Sequence, residues 1–306
     1  MSLSIFFTQL LNGVQFGALL FLLSAGLTLL FGIMNFINLM HGSLYMMGAY
    51  FAAAGYGWTG SFAWAGVIAV GGVFLLGLVL DRIAIARLYD RSHLDQVLAT
   101  FGFMLFFNEL VGIIWGPVSL FVAAPPALAG SISIFGAPYP VYRLFIITVA
   151  LLVGLALYWV IHKTRVGMLV RAGASVPGMV SSLGVNIKLF KTFLFAFGAA
   201  LAGLAGFMVG PITSIQSGMG EPILILALVV IVTGGTGSIR GSFYGALIIG
   251  LIDTAGRAFL PGMLHALFGS GVADNISSAL SSILVYLLMA LVLIFRPSGL
   301  FPVKYG

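Results

Sequence analysis

The first 80 residues contain no Asp, Glu, Lys or Arg, and the first charged side chain is Asp81. Apolar stretches of about 20 residues recur along the chain, and each is long enough to cross a hydrocarbon layer of about 30 Å as a helix. Of the 306 residues, 61% are hydrophobic and only 7% are charged. The stretches do not alternate apolar and polar residues, as the strands of a membrane barrel would. The sequence predicts an all-α fold, a polytopic transmembrane helical bundle in which residues 1–306 form a single domain.

The bundle is predicted to contain nine apolar segments. The second and seventh are short, which is typical of a re-entrant or broken helix rather than a full crossing. The sequence therefore predicts eight or nine crossings. The segments are residues 5–33, 42–57, 62–80, 97–116, 143–161, 189–210, 223–233, 242–260 and 282–295.

Basic residues are concentrated in two loops, residues 81–96 and residues 162–191. Because Lys and Arg are enriched in short cytoplasmic loops, both loops are predicted to face the cytoplasm, as is the C-terminus. The linkers 117–142, 211–221 and 262–281 contain no Lys or Arg and are predicted to lie outside. This topology accounts for the net charge of +6, so we expect no nucleic-acid binding.

Small residues recur every fourth position in the sixth segment, at Gly198, Ala202, Gly206 and Gly210. This spacing places them on one helix face and lets two helix backbones approach closely in lipid. The pattern predicts a tight helix–helix contact.

Polar residues interrupt the apolar sequence between the first and second segments, at Asn35, Asn38, His41 and Ser43. A polar side chain in hydrocarbon must find hydrogen bonds or cost several kcal/mol, so these residues face other helices or a wet cavity. One interpretation is that Asn38 or Ser43 caps a helix end. The other is that the break lines the passage of a polar solute.

A short sequence echo links the two ends of the chain. The residues HGSLY (41–45) return as RGSFY (240–244), each after a break and at the start of an apolar segment. Internal repeats with broken helices are common in transporters. The segment count makes the two copies parallel, whereas one re-entrant segment would make them inverted, and both arrangements stay open.

Few charged residues lie within the apolar segments. Asp253 precedes Arg257 by four positions, the favourable order for an ion pair on a helix, and the two are predicted to neutralise each other. Glu109 has no local partner in the sequence. Because ionisable groups within a membrane are candidates for function, Glu109 and Asp253 are the coupling sites of an alternative hypothesis, an ion-gradient-driven secondary transporter of small polar solutes.

The signatures of common enzymes are absent from the sequence. Its Gly-rich stretch GGTGSIRGS (234–242) lacks the lysine of a phosphate-binding loop, and there is no cysteine, no His-Glu-x-x-His pair and no carboxylate cluster. We expect a non-catalytic chain without a cofactor or metal of its own.

The loop RVGMLVRAGASVPGMVSSLGVN (165–186) is too polar and broken to cross a membrane. Pro177 suits the first turn of a short helix and Gly184 suits its end. Such a helix docks into a groove of a partner protein or lies flat on the lipid surface. Its apolar face consists of Met179, Val180 and Leu183.

Five stretches of the chain resemble the permease subunits of branched-chain amino acid ABC importers, a family that includes urea and short-amide importers. They are GLTLLFGIMNFINLMHGSLYMMGAY, DQVLATFGFMLFFNELVGIIWG, TRVGMLVRAGASVPGMVSSLGVN, GGTGSIRGSFYGALIIGLI and RPSGLF. Leu39 and Met40 depart from the family's usual Phe-Ala before His-Gly, and the family often has an acidic or amide residue where this chain has residues 176–178.

This resemblance implies an importer in the bacterial inner membrane, with two permease chains, two ATP-binding subunits and an extracytoplasmic solute-binding protein. The second permease is expected to be a distinct homologous chain, and ATP and Mg²⁺ would be used by the partner ATPase subunits. The solute is expected to be a branched-chain amino acid or a related amino acid or amide.

The resemblance also implies roles for two groups of residues. The short helix would be the coupling helix that inserts into an ATPase subunit, comprising Arg171, Pro177, Met179, Val180, Leu183 and Gly184. The translocation path would include Asn35, Asn38, His41, Ser43, Gly234, Gly235, Gly237 and Arg240.

Overall fold

A computed structural model describes residues 3–134, 136–175, 181–182, 184–268 and 270–302. Within these residues the chain forms ten α-helices and one short antiparallel hairpin. The helices are α1 (Leu3–Met34), α2 (His41–Thr59), α3 (Phe62–Ile83), α4 (His93–Trp115), α5 (Val141–Lys163), α6 (Arg165–Ser175), α7 (Ile187–Val209), α8 (Gly220–Gly234), α9 (Ile239–Phe268) and α10 (Ser270–Phe295). The strands are β1 (Ser131–Ile134) and β2 (Ala137–Pro140), with Ser131 opposite Pro140.

The predicted helical bundle is confirmed. Six of the described helices are long and apolar enough to cross a membrane: α1, α3, α4, α5, α7 and α9. The seventh segment forms the short helix α8 of 15 residues, whereas the second forms α2 of 19 residues. The number of crossings and the side on which each loop lies stay predictions.

The centre of the bundle is formed by α1, which packs against α5, α7, α8 and α9. Its residues from Ala18 to Leu30 are almost entirely buried. In contrast, α3, α4 and α5 each expose large apolar side chains, including Leu75, Leu98 and Leu155. A helix buried on all sides belongs to a core, and exposed apolar faces around it are what lipid would cover.

The small-residue face of α7 touches two different helices. A Cβ built on Gly206 would lie 1.9 Å from the carbonyl oxygen of Tyr45 in α2, and one built on Gly198 would lie 3.1 Å from that of Gly26 in α1. Ala202 is fully buried between them, while Gly210 follows the end of α7 and meets only ordinary contacts. At Gly206, no larger side chain fits unless α2 moves.

Structure in three loops was not predicted. The basic loop 162–191 begins with the helix α6, and the linker 117–142 contains the β1–β2 hairpin. The linker 262–281 is helical in its described residues, which belong to the end of α9 and the start of α10. The linker 117–142 is also attached to the segment before α8, because Leu120 and Ile215 exchange two backbone hydrogen bonds of 2.9 Å.

Candidate functional site

The candidate site is the break between α1 and α2, residues 35–40. The backbone turns there through Asn35, an exposed residue with a φ of 48°, which asparagine tolerates better than most residues. The polar residues that follow are buried: Asn38 is 1% exposed, His41 is 0% and Ser43 is 1%. Three of the four predicted residues therefore lie inside the bundle in one short stretch of chain.

Two side chains of α4 hold this break in place. The backbone N–H of Ile37 donates to Oε1 of Gln96 at 3.3 Å, and that of Leu39 donates to Oγ1 of Thr100 at 3.1 Å. Gln96 and Thr100 are themselves buried. Sequence analysis missed both, although an amide and a hydroxyl four residues apart share one face of a helix.

The capping interpretation of the break is wrong. The residue before the first turn of α2 is Met40, and this helix end has no side-chain cap. Within the described residues, the amide of Asn38 and Oγ of Ser43 have no hydrogen-bond partner. A buried polar group without a partner costs about 1–3 kcal/mol, so these groups weaken the fold, and a role in function would account for that cost.

The imidazole of His41 adds an acceptor to this cluster. Its Nε2 lies 3.1 Å from the backbone carbonyl of Leu23 in α1. Because a carbonyl only accepts, Nε2 donates, and in the neutral ring Nδ1 is then an acceptor. Nδ1 is buried and has no partner within the described part of the chain. Residues 38–43 thus carry an amide, a hydroxyl and an imidazole acceptor that are buried and without a partner among the described residues.

Glycine contacts connect both ends of α8 to the two copies of the sequence echo. At its first residue, a Cβ on Gly220 would lie 2.1 Å from the carbonyl oxygen of Gly42. At its last residue, a Cβ on Gly234 would lie 2.2 Å from that of Gly241. The glycine after His41 and the glycine after Arg240 therefore pack against opposite ends of the same short helix.

The second break, residues 235–238, differs from the first in its polar groups. Gly235 and Gly237 have φ values of 110° and 77°, which favour glycine. Ser242, the counterpart of Ser43, is hydrogen-bonded to Thr28 at 2.7 Å and to Ser24 at 3.3 Å. The second break is therefore hydrogen-bonded where the first is not.

Arg240, the counterpart of His41, points away from the buried cluster. It is exposed, and its Nη2 donates to the hydroxyl of Tyr158 in α5 at 2.9 Å. Asn38, His41 and Ser43 are thus buried within one short stretch of the chain. Gly234, Gly235 and Gly237 lie at the far end of α8, and Arg240 is exposed on the surface of the bundle.

An acidic residue that sequence analysis missed lies beside the first break. Glu221 is the second residue of α8, and a Cβ on its neighbour Gly220 would lie 3.2 Å from the amide nitrogen of Ser43. Its Oε1 accepts from Nδ2 of Asn108 at 2.5 Å. The first turn of a helix favours a negative charge. Glu221 has no cationic partner within the described residues.

The acids singled out from the sequence have other surroundings. Asp253 and Arg257 form the predicted ion pair at 2.9 Å, which is confirmed. Glu109 is exposed on α4. It is the neighbouring residue Asn108 that takes part in the candidate site, because its side chain donates a hydrogen bond to Glu221.

Comparison with known proteins points to one family of membrane permeases. The family profile described as "Branched-chain amino acid transport system / permease component" matches residues 9–293. This chain belongs to that family. Its permease relatives include LivH of Salmonella typhimurium, a high-affinity branched-chain amino acid transport system permease protein that is 29% identical over 96% of this chain and 95% of the relative.

Two further proteins are similar to this chain over different lengths. BraD of Pseudomonas aeruginosa, also named a high-affinity branched-chain amino acid transport system permease protein, is 28% identical over 95% of this chain and 94% of the relative. The ribose import permease protein RbsC of Haemophilus influenzae is 30% identical over 42% of this chain and 40% of the relative. No solved structure matches this chain significantly.

Most of the coupling helix predicted for this permease, namely Pro177, Met179, Val180 and Leu183, lies outside the described residues. Arg171 lies on α6 and donates to the carbonyl of Ile161, and Gly184 has a φ of 84° in the turn before α7. A cavity of about 1180 Å³ lies beside this turn. Its lining includes Arg82, Arg87, Lys188 and Lys191.

A buried polar cluster fixes one wall of this cavity in the permease. Asp81, at the end of α3, accepts hydrogen bonds from the hydroxyl of Tyr89 and from that of Thr192 in α7, the latter at 2.6 Å. Burial, and to a lesser extent the hydrogen bond to Asp81, raises the pKa of Tyr89. The phenol therefore stays protonated and acts as the donor. The loop after α3 and the start of α7 are therefore held together.

Proposed function

We propose that this chain is a permease subunit of an ATP-driven importer and forms part of the path for branched-chain amino acids or related small amino acid or amide solutes. Membership of the permease family and the names of its full-length relatives support this function. One observation carries it: Asn38, His41 and Ser43 are buried at a helix break with polar atoms that no described residue satisfies.

The proposed partners follow from the same family. A second, distinct permease chain completes the path, two ATP-binding subunits hydrolyse ATP with Mg²⁺, and an extracytoplasmic binding protein delivers the solute. The chain itself is not an enzyme. It lies in the bacterial inner membrane with its C-terminus in the cytoplasm, in agreement with the basic loops 81–96 and 162–191.

The buried cluster suits an amino acid that has left water. Such a solute brings an ammonium, which only donates, and a carboxylate, which only accepts. The ammonium would donate to Nδ1 of His41 and to the oxygens of Asn38 and Ser43. The carboxylate would accept from the amide N–H of Asn38 and the hydroxyl of Ser43. Contacts of different strength in the outward-open and inward-open states then bias the transport cycle.

Glu221 favours an amino acid over a sugar as the solute. A ribose permease also matches part of this chain, and neutral hydroxyls would suit the buried amide as well. The carboxylate of Glu221 has no described cationic partner, and Glu221 directly follows Gly220, whose backbone packs against residues 42 and 43. This carboxylate attracts an ammonium group and gains nothing from a neutral sugar.

Uptake measurements on the reconstituted complete transporter test this proposal. Labelled leucine should accumulate when ATP is present, and labelled ribose should not. Glu221→Gln keeps the acceptor for Asn108 but removes the charge, and should lower leucine uptake about tenfold, since a hydrogen bond to a charged group contributes about 1.5–3 kcal/mol. Glu109→Gln, on an exposed acid, is the control. Ribose uptake, or unchanged leucine uptake in Glu221→Gln, would contradict the assignment.

The coupling helix is proposed on the sequence and the family alone. A charge on its apolar face should prevent insertion into the ATPase groove. Met179→Asp and Leu183→Asp should therefore abolish transport while the chain still inserts into the membrane. Full transport by both variants would remove this helix from the mechanism.

A further inference from the structure

A groove of about 660 Å³ opens on the outer surface of the bundle between α5 and α9. Its walls are mainly apolar and aromatic, and Phe21 of α1 lies at its base beside Gly154. The wall residues are Leu151, Leu155, Phe243, Tyr244 and Phe301. An apolar groove of this size on a membrane-spanning surface is open to lipid chains.

The C-terminal segment completes one wall of this groove. The backbone N–H groups of Leu300 and Phe301 donate at 2.9 Å to the carbonyls of Thr233 and Gly234 at the end of α8. The ring of Phe301 then packs on that of Tyr244, with centroids 5.1 Å apart. The wall is therefore built from hydrogen-bonded backbone and packed rings.

Arg240 supplies a positive charge to the groove. Its guanidinium lies 4.9 Å from the centre of the Tyr158 ring and donates to the Tyr158 hydroxyl at 2.9 Å. No acidic residue lines the groove, and Arg240 has no carboxylate partner within the described residues. Guanidinium groups that stack on aromatic rings retain donors for a phosphate.

The neighbouring cavity, of about 490 Å³, shares Tyr158 and Arg240 and adds His162 and Arg171 to its lining. These residues border the basic loop 162–191, which the distribution of charge assigns to the cytoplasm. Arg240 thus lies at the level where the headgroups of the cytoplasmic leaflet would be.

We propose that this groove binds an anionic glycerophospholipid of the cytoplasmic leaflet. One acyl chain lies along the apolar walls of α5 and α9, and the phosphate accepts hydrogen bonds from Arg240. Basic pockets between helices on this side of a membrane suit anionic headgroups. Charge complementarity selects this occupant over a neutral lipid, and the mainly apolar lining selects it over a free anion.

Native mass spectrometry of the complete transporter in mild detergent tests the proposal, with phosphatidylglycerol and phosphatidylcholine as probes. Phosphatidylglycerol should bind more tightly to the wild type. Arg240→Gln should weaken that binding about fivefold, since each basic residue near an anionic surface contributes about 1 kcal/mol. Arg296→Gln, which removes an exposed charge that does not line the groove, should have no effect.

A second variant, Leu155→Trp, fills the groove and keeps the charge, and it should also weaken phosphatidylglycerol binding. Equal affinity for the two lipids, or wild-type binding by Arg240→Gln, would overturn the proposal. Competition by millimolar inorganic phosphate would indicate a free-anion site instead. Loss of the second permease chain from the Arg240→Gln complex would indicate a protein interface instead. None of these results depends on which solute is transported.

Discussion

Ser43 and Ser242 occupy equivalent positions of the sequence echo but have opposite surroundings. Ser242 is hydrogen-bonded to Thr28 and Ser24, whereas Oγ of Ser43 has no partner within the described residues. Both side chains are buried. At the scale of single residues, the serine of the first copy of the echo keeps its hydroxyl available. The serine of the second copy uses its hydroxyl to join α1 to α9.

This contrast predicts opposite effects of the same substitution. Ser242→Ala breaks two hydrogen bonds and should lower the free energy of unfolding by about 1 kcal/mol. Ser43→Ala removes an unsatisfied hydroxyl, so stability should be unchanged or raised while transport falls. Thermal unfolding in detergent and uptake in liposomes measure the two effects. Destabilisation by Ser43→Ala would mean that this hydroxyl has a structural partner.

The attachment of the first break to α4 gives a second prediction. Gln96→Leu leaves the N–H of Ile37 without its partner and removes the side-chain donor to the carbonyls of Leu88 and Arg91, of which that of Leu88 keeps the N–H of Arg91. The unfolding free energy should fall by about 2 kcal/mol, because three hydrogen bonds of about 0.5–1.5 kcal/mol each are lost at a partly buried place. Gln96→Glu keeps an acceptor for Ile37, but its buried carboxylate would face the two carbonyl oxygens, so it should lose at least as much. An unchanged unfolding free energy in Gln96→Leu would show that these bonds contribute nothing.

At the scale of elements, the contact between α2 and α7 sets the position of the candidate site. The backbone of Tyr45 lies against Gly206, one helical turn beyond His41. Gly71 of α3 provides a comparison, because a Cβ there would meet no atom within 4 Å. The same substitution at Gly206 and at Gly71 therefore tests the effect of the surroundings alone.

Gly206→Leu should therefore separate α2 from α7 and sharply lower the yield of folded protein. Gly71→Leu should leave the yield near that of the wild type. Size-exclusion chromatography of detergent-solubilised protein measures both. A normal yield of Gly206→Leu with normal transport would show that the close approach at Gly206 is not required.

The sequence predicted those elements whose signal is local. Apolar length located the membrane helices, and the spacing of Asp253 and Arg257 predicted their ion pair. Contacts between distant segments left no such signal: Glu221 pairs with Asn108, 113 positions away, and Gln96 reaches the break 59 positions before it. The helix α6 was missed because its polar, glycine-containing sequence suggested only a loop.

At the scale of the whole molecule, α1 connects the two breaks. His41 lies against Gly26 and the second break lies against Gly32, six residues further along the same helix. At a rise of 1.5 Å per residue, these two points are about 9 Å apart. Movement of α1 relative to α8 would therefore change both breaks together, as an alternating-access mechanism requires.

The central claim is that this chain conducts the solute while other subunits supply the energy. Uptake of labelled leucine into liposomes tests it most directly, comparing the chain alone, under a proton or sodium gradient, with the complete assembly supplied with ATP. We predict accumulation only with the ATPase subunits and ATP present. Accumulation by the chain alone, driven by either gradient without ATP, would contradict the account.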